Sequence, residues 1–302
     1  MRTTSAGNGT SRVRRPIGVP IVLAALLLVL AGCIPRPSYV ALGDSYTAGP
    51  LIPNQRTDYP GCLRSDRNYP ALVAVSVGQP VFRDASCSGA QTEDMTQPQD
   101  VSPDPNNPPQ FDRLDAETRV VTLGIGGNDI GFTEIAENCG SATPTGTPCQ
   151  DRYVVNGHDT ISDRIAATAP KVAAVLQGIH TRAPRAAVYV VGYPAILPES
   201  GPGCWPTMPI TPGDVPYLRG VQKNLNAMLA AQAAAGDATF VDTYTPSIGH
   251  DACQLPTVRW VEPLVPVNPA APIHPNAAGM QGMAAAVRAA MPAPVVQASY
   301  AR

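Results

Sequence analysis

Four short blocks carry residue types able to perform acyl transfer. They are Gly43-Asp44-Ser45-Tyr46-Thr47-Ala48-Gly49, Ser86-Cys87-Ser88-Gly89-Ala90, Gly124-Ile125-Gly126-Gly127-Asn128-Asp129 and Ile273-His274-Pro275-Asn276. A serine hydroxyl is a poor nucleophile until a base takes its proton, and an imidazole titrating near pH ~6.5 can do that. A glycine lets the backbone approach a substrate closely and aim an N–H at it. An asparagine NH2 can donate to an oxygen that becomes negative in the transition state. Each block alone has a plainer reading: a cap or turn at Ser45, a loop glycine at Gly89, a glycine-rich turn at residues 124–129, a solvent-facing helix-start histidine at His274. The set is more specific than its parts. Of the other histidines only His250, beside Asp251 and Cys253, competes with His274. Other chemistries lack their spacing. The serine is not in a Gly-x-Ser-x-Gly turn, no Lys-Ser/Thr follows the glycines, and no Cys-x-x-Cys suggests zinc.

These blocks need elements to hold them. Residues 38–42 read as a buried strand ending at Gly43, and residues 81–85, 119–125, 187–191 and 239–242 as four more. Helical spacing of apolar residues runs through 161–181, 215–235 and 276–290. Strands alternating with helices indicate a parallel sheet covered on both faces. The Ser, Gly and Asn blocks each follow a strand, where such sheets place their sites. The segments 97–110, 137–156, 198–216 and 256–275 are long, Pro-rich or polar, and are expected to shape a pocket around the site end.

The N-terminus carries an export signature. Arg12, Arg14 and Arg15 precede an apolar run over residues 17–30, shorter than the roughly 20 residues of a membrane span. Leu30-Ala31-Gly32-Cys33 resembles a bacterial lipobox, so residues 1–32 are expected to be a lipoprotein signal peptide and Cys33 the lipidated first residue. An ordinary signal peptide with a chance cysteine is the alternative. The chain has seven Cys; without Cys33 six remain, an even set that suggests three disulfides in an exported protein. Spacing does not choose among their pairings. A net charge of −2 points to neither nucleic acid nor an acidic surface as partner. The 44% hydrophobic content suffices for a core.

The order Ser45, Gly89, Asn128, His274 resembles the quartet that names the SGNH/GDSL hydrolases, over nearly all of the chain beyond residue 32. The resemblance implies an α/β fold, a flavodoxin-like three-layer α/β/α sandwich with a parallel central sheet, with residues 33–302 as a single domain. It implies a carboxylic ester hydrolase, an esterase or lipase working through an acyl-enzyme on Ser45 with His274 as base. The oxyanion hole would be the Ser45 N–H, the Gly89 N–H and the Asn128 side chain, with no metal and no cofactor. The chain is most similar to secreted actinomycete esterases and lipases, which implies the pairs Cys62–Cys87, Cys139–Cys149 and Cys204–Cys253. An exported monomer is expected, held at the outer face of the cell membrane by its lipid anchor or released. Many members carry Asp three residues before the His; here that residue is Ala271. The Ala271 carbonyl is therefore expected to orient His274, with Asp251 and Asp129 as rival carboxylates. Two other functions fit the same residues: an envelope carbohydrate O-deacetylase, or a lipid- or glycan-binding lipoprotein without catalysis. The intact quartet argues against the latter.

Overall fold

Strand β1 (Ser38–Gly43) is buried along its whole length, as a central strand of a parallel sheet must be. The computed structural model describes residues 1–7, 9, 36–78 and 80–291. The apolar run of the expected signal segment and Cys33 lie outside these residues. After β1 come α1 (Ser45–Ala48), α2 (Tyr69–Val77), β2 (Val81–Asp84), β3 (Thr118–Gly124), α3 (Phe132–Asn138) and α4 (Pro148–Tyr153). A short hairpin, β4 (Val154–Val155) and β5 (His158–Asp159), leads to α5 (Thr160–Arg182), β6 (Ala187–Val191), α6 (Val215–Ala235), β7 (Thr239–Val241) and α7 (Ala277–Ala290). The segment from Pro37 onward packs as one unit of its own.

Five strands pair in parallel in the order β2-β1-β3-β6-β7. This is the flavodoxin-like order, and the winding reverses between β1 and β3, which opens a crevice beyond their carboxyl ends. Successive side chains of a strand point to opposite faces, and the two cores follow that alternation. Val40, Leu42, Val121 and Leu123 pack with Val172, Leu176, Leu225 and Leu229 of α5 and α6. Tyr39, Ala41, Val120 and Tyr189 pack with Val73, Val77, Met280 and Met283 of α2 and α7. The sandwich is thus helix, sheet, helix. Disulfides join Cys62 to Cys87, Cys139 to Cys149 and Cys204 to Cys253.

Helix α2 had no helical signature in the sequence. Its residues are mostly apolar, three of the nine being valine, and follow no helical period, so no element was expected there. It forms because Asn68 caps it, accepting from the Ala71 N–H at 3.0 Å, and because Pro70 fits the first turn. Helix α4 and the last residues of α3 fall in the stretch 137–156, expected to be a polar loop; the Cys139–Cys149 bond staples the end of one helix to the start of the other.

Candidate active site

Ser45 opens α1 directly after β1. Gly43 makes this entry possible. It has φ +153°, and a β-carbon there would stand 2.3 Å from Thr47 Oγ1 and 2.5 Å from the Gly124 carbonyl oxygen. The buried Gln110 clasps the same residue from both sides: Gly43 N–H donates to Oε1 at 2.7 Å, and Nε2 donates to the Gly43 carbonyl at 2.9 Å. Asp44 caps α1, accepting from the Tyr46 N–H at 2.9 Å. Its other oxygen accepts from the Tyr193 hydroxyl at 2.6 Å, and that hydroxyl accepts from the Gly127 N–H at 2.8 Å. This chain ties the serine turn to the turn that carries Asn128. Burial pushes the Asp44 carboxyl up to about 7, against the pull of the Tyr193 and Tyr46 hydrogen bonds.

His274 meets Ser45 across 229 residues of chain, with Nε2 2.8 Å from Ser45 Oγ. The other ring nitrogen, Nδ1, lies 2.7 Å from the Pro272 carbonyl oxygen. An Nδ1–H donating there leaves Nε2 free to accept from Ser45, the arrangement a general base requires. The sequence expectation for Ala271 is therefore corrected. The Ala271 carbonyl accepts instead from the His274 backbone N–H, at 3.2 Å. The reason is local: Ile273 adopts φ +59°, a left-handed turn costing a β-branched residue roughly 1–2 kcal/mol. The chain thereby folds back, and the carbonyl two residues before His274, rather than three, reaches the ring. Tyr46 holds this kink. Its hydroxyl donates to the Ile273 carbonyl at 2.6 Å, and its ring lies 5.0 Å from the imidazole. Desolvation draws His274 below the usual imidazole range, and the Pro272 hydrogen bond offsets part of that.

The rival residues are engaged elsewhere. Asp251 accepts from the Cys253 N–H and Gln254 Nε2. Asp129 accepts from the Thr92 N–H and hydroxyl and lies 3.5 Å from Lys171 Nζ. His250 stacks on Trp260 at 4.7 Å, its Nδ1 against the Val258 carbonyl.

Gly89 sits in a turn closed by the Ala90 N–H on the Cys87 carbonyl, with φ +82°, which favours glycine. That turn is bound to its surroundings by the Cys62–Cys87 disulfide and by the Ser88 N–H on the Cys62 carbonyl. The buried Arg64 reinforces it, donating to the Ser86 carbonyl at 2.7 Å beside Asp84. The Ser45 and Gly89 N–H groups have no acceptor among the described residues. Asn128 Nδ2 donates to the Ala90 carbonyl at 2.9 Å. That bond orients the amide and uses one of its two hydrogens. Beside His274 opens a cavity of about 560 Å³, walled by apolar residues including Ile130, Phe132, Ile135, Met208, Ile210 and Leu225.

Sequence reasoning missed Tyr46, Gln110, Tyr193 and Pro272. Only Tyr46 had a signal, its place beside Ser45. Gln110 and Tyr193 join the site from segments that spacing does not connect to it, and Pro272, two residues before His274, reaches the ring only through the reversed φ at Ile273.

A match to the GDSL-like lipase/acylhydrolase family spans residues 41–281. The chain belongs to that family. It is a carboxylic ester hydrolase. It is 41% identical over 264 residues to Lipase 2 of Streptomyces coelicolor, covering 84% of this chain and 85% of that one. It is 28% identical over 295 residues to an esterase of Streptomyces scabiei, covering 81% and 85%. Among solved structures, phospholipase A1 of Streptomyces albidoflavus matches with a TM-score of 0.71 at 27% identity, over 85% of this chain and 100% of that one. The extracellular lipase of Streptomyces rimosus matches at 0.70 and 28%, over 84% and 100%. The three disulfides fit a protein exported to an oxidising compartment.

Proposed function

We propose that the hydrolase acts on lipid-like esters through a Ser45–His274 dyad. Ser45 is the nucleophile, His274 takes its proton, and the Ser45 N–H, the Gly89 N–H and the second Asn128 amide hydrogen receive the oxyanion. His274 then protonates the leaving alcohol, and water repeats the cycle on the acyl-enzyme. The observation that carries this reading is the 2.8 Å contact between Ser45 Oγ and His274 Nε2 at the edge of an apolar cavity. The cavity falls in the size range of small-molecule sites, and its lining suits an acyl chain better than a sugar. Catalysis rather than binding alone is favoured because the ring is poised as a base.

The test is hydrolysis of chromogenic acetate, butyrate and palmitate esters. Turnover should extend beyond acetate, disappear with phosphonate labelling in Ser45→Ala, and fall roughly 10²–10³-fold with labelling kept in Asn128→Ala. Hydrolysis of acetate alone would favour the O-deacetylase, and full activity in Ser45→Ala would refute the site. Cys33 as a lipidated N-terminus, and with it attachment of a monomer to the outer face of the cell membrane, belongs to the same proposal. Its support is Leu30-Ala31-Gly32-Cys33 after a short apolar run. Mass spectrometry of the native N-terminus decides it.

A further inference from the structure

The loop that delivers His274 is built inside out. Glu262 is fully buried, and its carboxylate gathers the loop around it. It accepts from the backbone N–H groups of Val267 and Asn268 at 2.9 and 3.1 Å, and from the Asn268 and Asn276 side-chain amides, both at 2.7 Å. Arg259, itself buried, adds an ion pair at 3.1 Å. Burial alone would push the Glu262 carboxyl up, but the hydrogen bonds from Asn276, Asn268 and the two backbone groups hold it below the usual range. The polar groups thus face inward and the apolar ones outward. Leu264, Val265 and Val267 are 46%, 76% and 68% exposed. Pro269 and Pro272 are exposed as well, so every exposed residue from 263 to 273 is apolar. The nearest charge before this surface is the buried Glu262, and the next after it in sequence is Arg288.

A contiguous exposed apolar patch marks an interaction site, and its position says which kind. Leu264 and Pro272 belong both to this surface and to the wall of the acyl cavity. Pro272 also holds the His274 ring. An acyl chain leaving a lipid layer would therefore pass from this surface straight into the mostly apolar cavity that His274 lines. A protein-binding patch is usually ringed by polar and charged side chains; the exposed side chains of this loop are all apolar, and the surface runs directly into the cavity.

We propose that residues 264–272 form a rigid, uncharged docking edge that seats the enzyme on the surface of a lipid layer, with Val265 and Val267 inserted beyond the cavity mouth. The proposal rests on the acyl-ester reading above. The loop needs no rearrangement, because Glu262 already presents the apolar side chains. With no charge in the patch, attachment should be the same on zwitterionic and anionic lipid and insensitive to salt.

The test uses the segment from Pro37 onward, which lacks Cys33 and so any lipid of its own. Binding to phosphatidylcholine vesicles and turnover of a long-chain ester dispersed in them are compared with turnover of a soluble butyrate ester. Val265→Asp/Val267→Asp should weaken vesicle binding and vesicle-borne turnover by at least about tenfold while soluble turnover is kept. Val265→Trp should strengthen both, which keeps the test valid if the double variant folds poorly. Unchanged vesicle binding in both variants would overturn the docking edge, as would a dimer of the parent segment that the aspartates split. Absence of soluble turnover in the parent would instead refute the esterase reading.

Discussion

Tyr193→Phe removes one hydroxyl and should destabilise the protein in a pH-dependent way. The hydroxyl donates to Asp44 and accepts from the Gly127 N–H, so its loss orphans two buried groups. At about pH 5 the Asp44 carboxyl, pushed up to about 7 by burial, is neutral. The cost is then that of one unsatisfied N–H and one neutral hydrogen bond, about 1–3 kcal/mol. At about pH 8.5 Asp44 is charged, and the lost bond is a charge-assisted one. Such bonds exceed neutral ones by about 1–1.5 kcal/mol, close to one pKa unit. The sign follows from linkage. A carboxyl raised in the fold contributes most below its unfolded value near pH ~4, and that contribution declines until pH reaches its folded value. In the variant the folded value rises further, so the decline continues about one pH unit beyond that of the parent. Urea unfolding followed by circular dichroism, at about pH 5, 7 and 8.5, measures the difference between the two proteins. The variant should lose about 1–1.5 kcal/mol more at the highest pH than at the lowest. An equal cost at all three would mean that Asp44 does not titrate through this hydroxyl, and the reasoning fails.

Two further outcomes concern the histidine. Because desolvation lowers His274, the acid limb of kcat/KM for a soluble ester should have its midpoint below the ordinary imidazole value of about 6.5; a midpoint above it would contradict the buried geometry. Asp251→Asn and Asp129→Asn, whose carboxylates make no contact with His274, should each leave kcat within about tenfold of the parent, against the roughly 10⁴-fold collapse that follows loss of a true triad acid; such a collapse without unfolding would replace the dyad by a triad.

The amino-acid sequence by itself determined the five sheet strands, as short apolar, β-branched runs bounded by turn residues, and the three long helices, whose apolar spacing repeats over several turns. It also determined the order Ser45, Gly89, Asn128, His274, since the first three follow strands and a parallel sheet gathers its strand ends on one side. It did not show α2, where Asn68 and Pro70 outweigh a valine-rich composition. Nor did it show the carbonyl on His274. Counting back three residues gave Ala271, but the left-handed turn at Ile273 brings Pro272 to the ring, and no spacing rule records a single reversed φ. Tyr193 on Asp44, Gln110 on Gly43 and Glu262 inside its loop were equally hidden. Hydrogen bonds across 149 and 67 residues of chain depend on which segments the fold packs together, and a buried polar group takes whatever partner that packing offers. Local pattern therefore fixed where the reactive groups lie along the chain, and tertiary packing alone decided what orients them and what the cavity beside them admits.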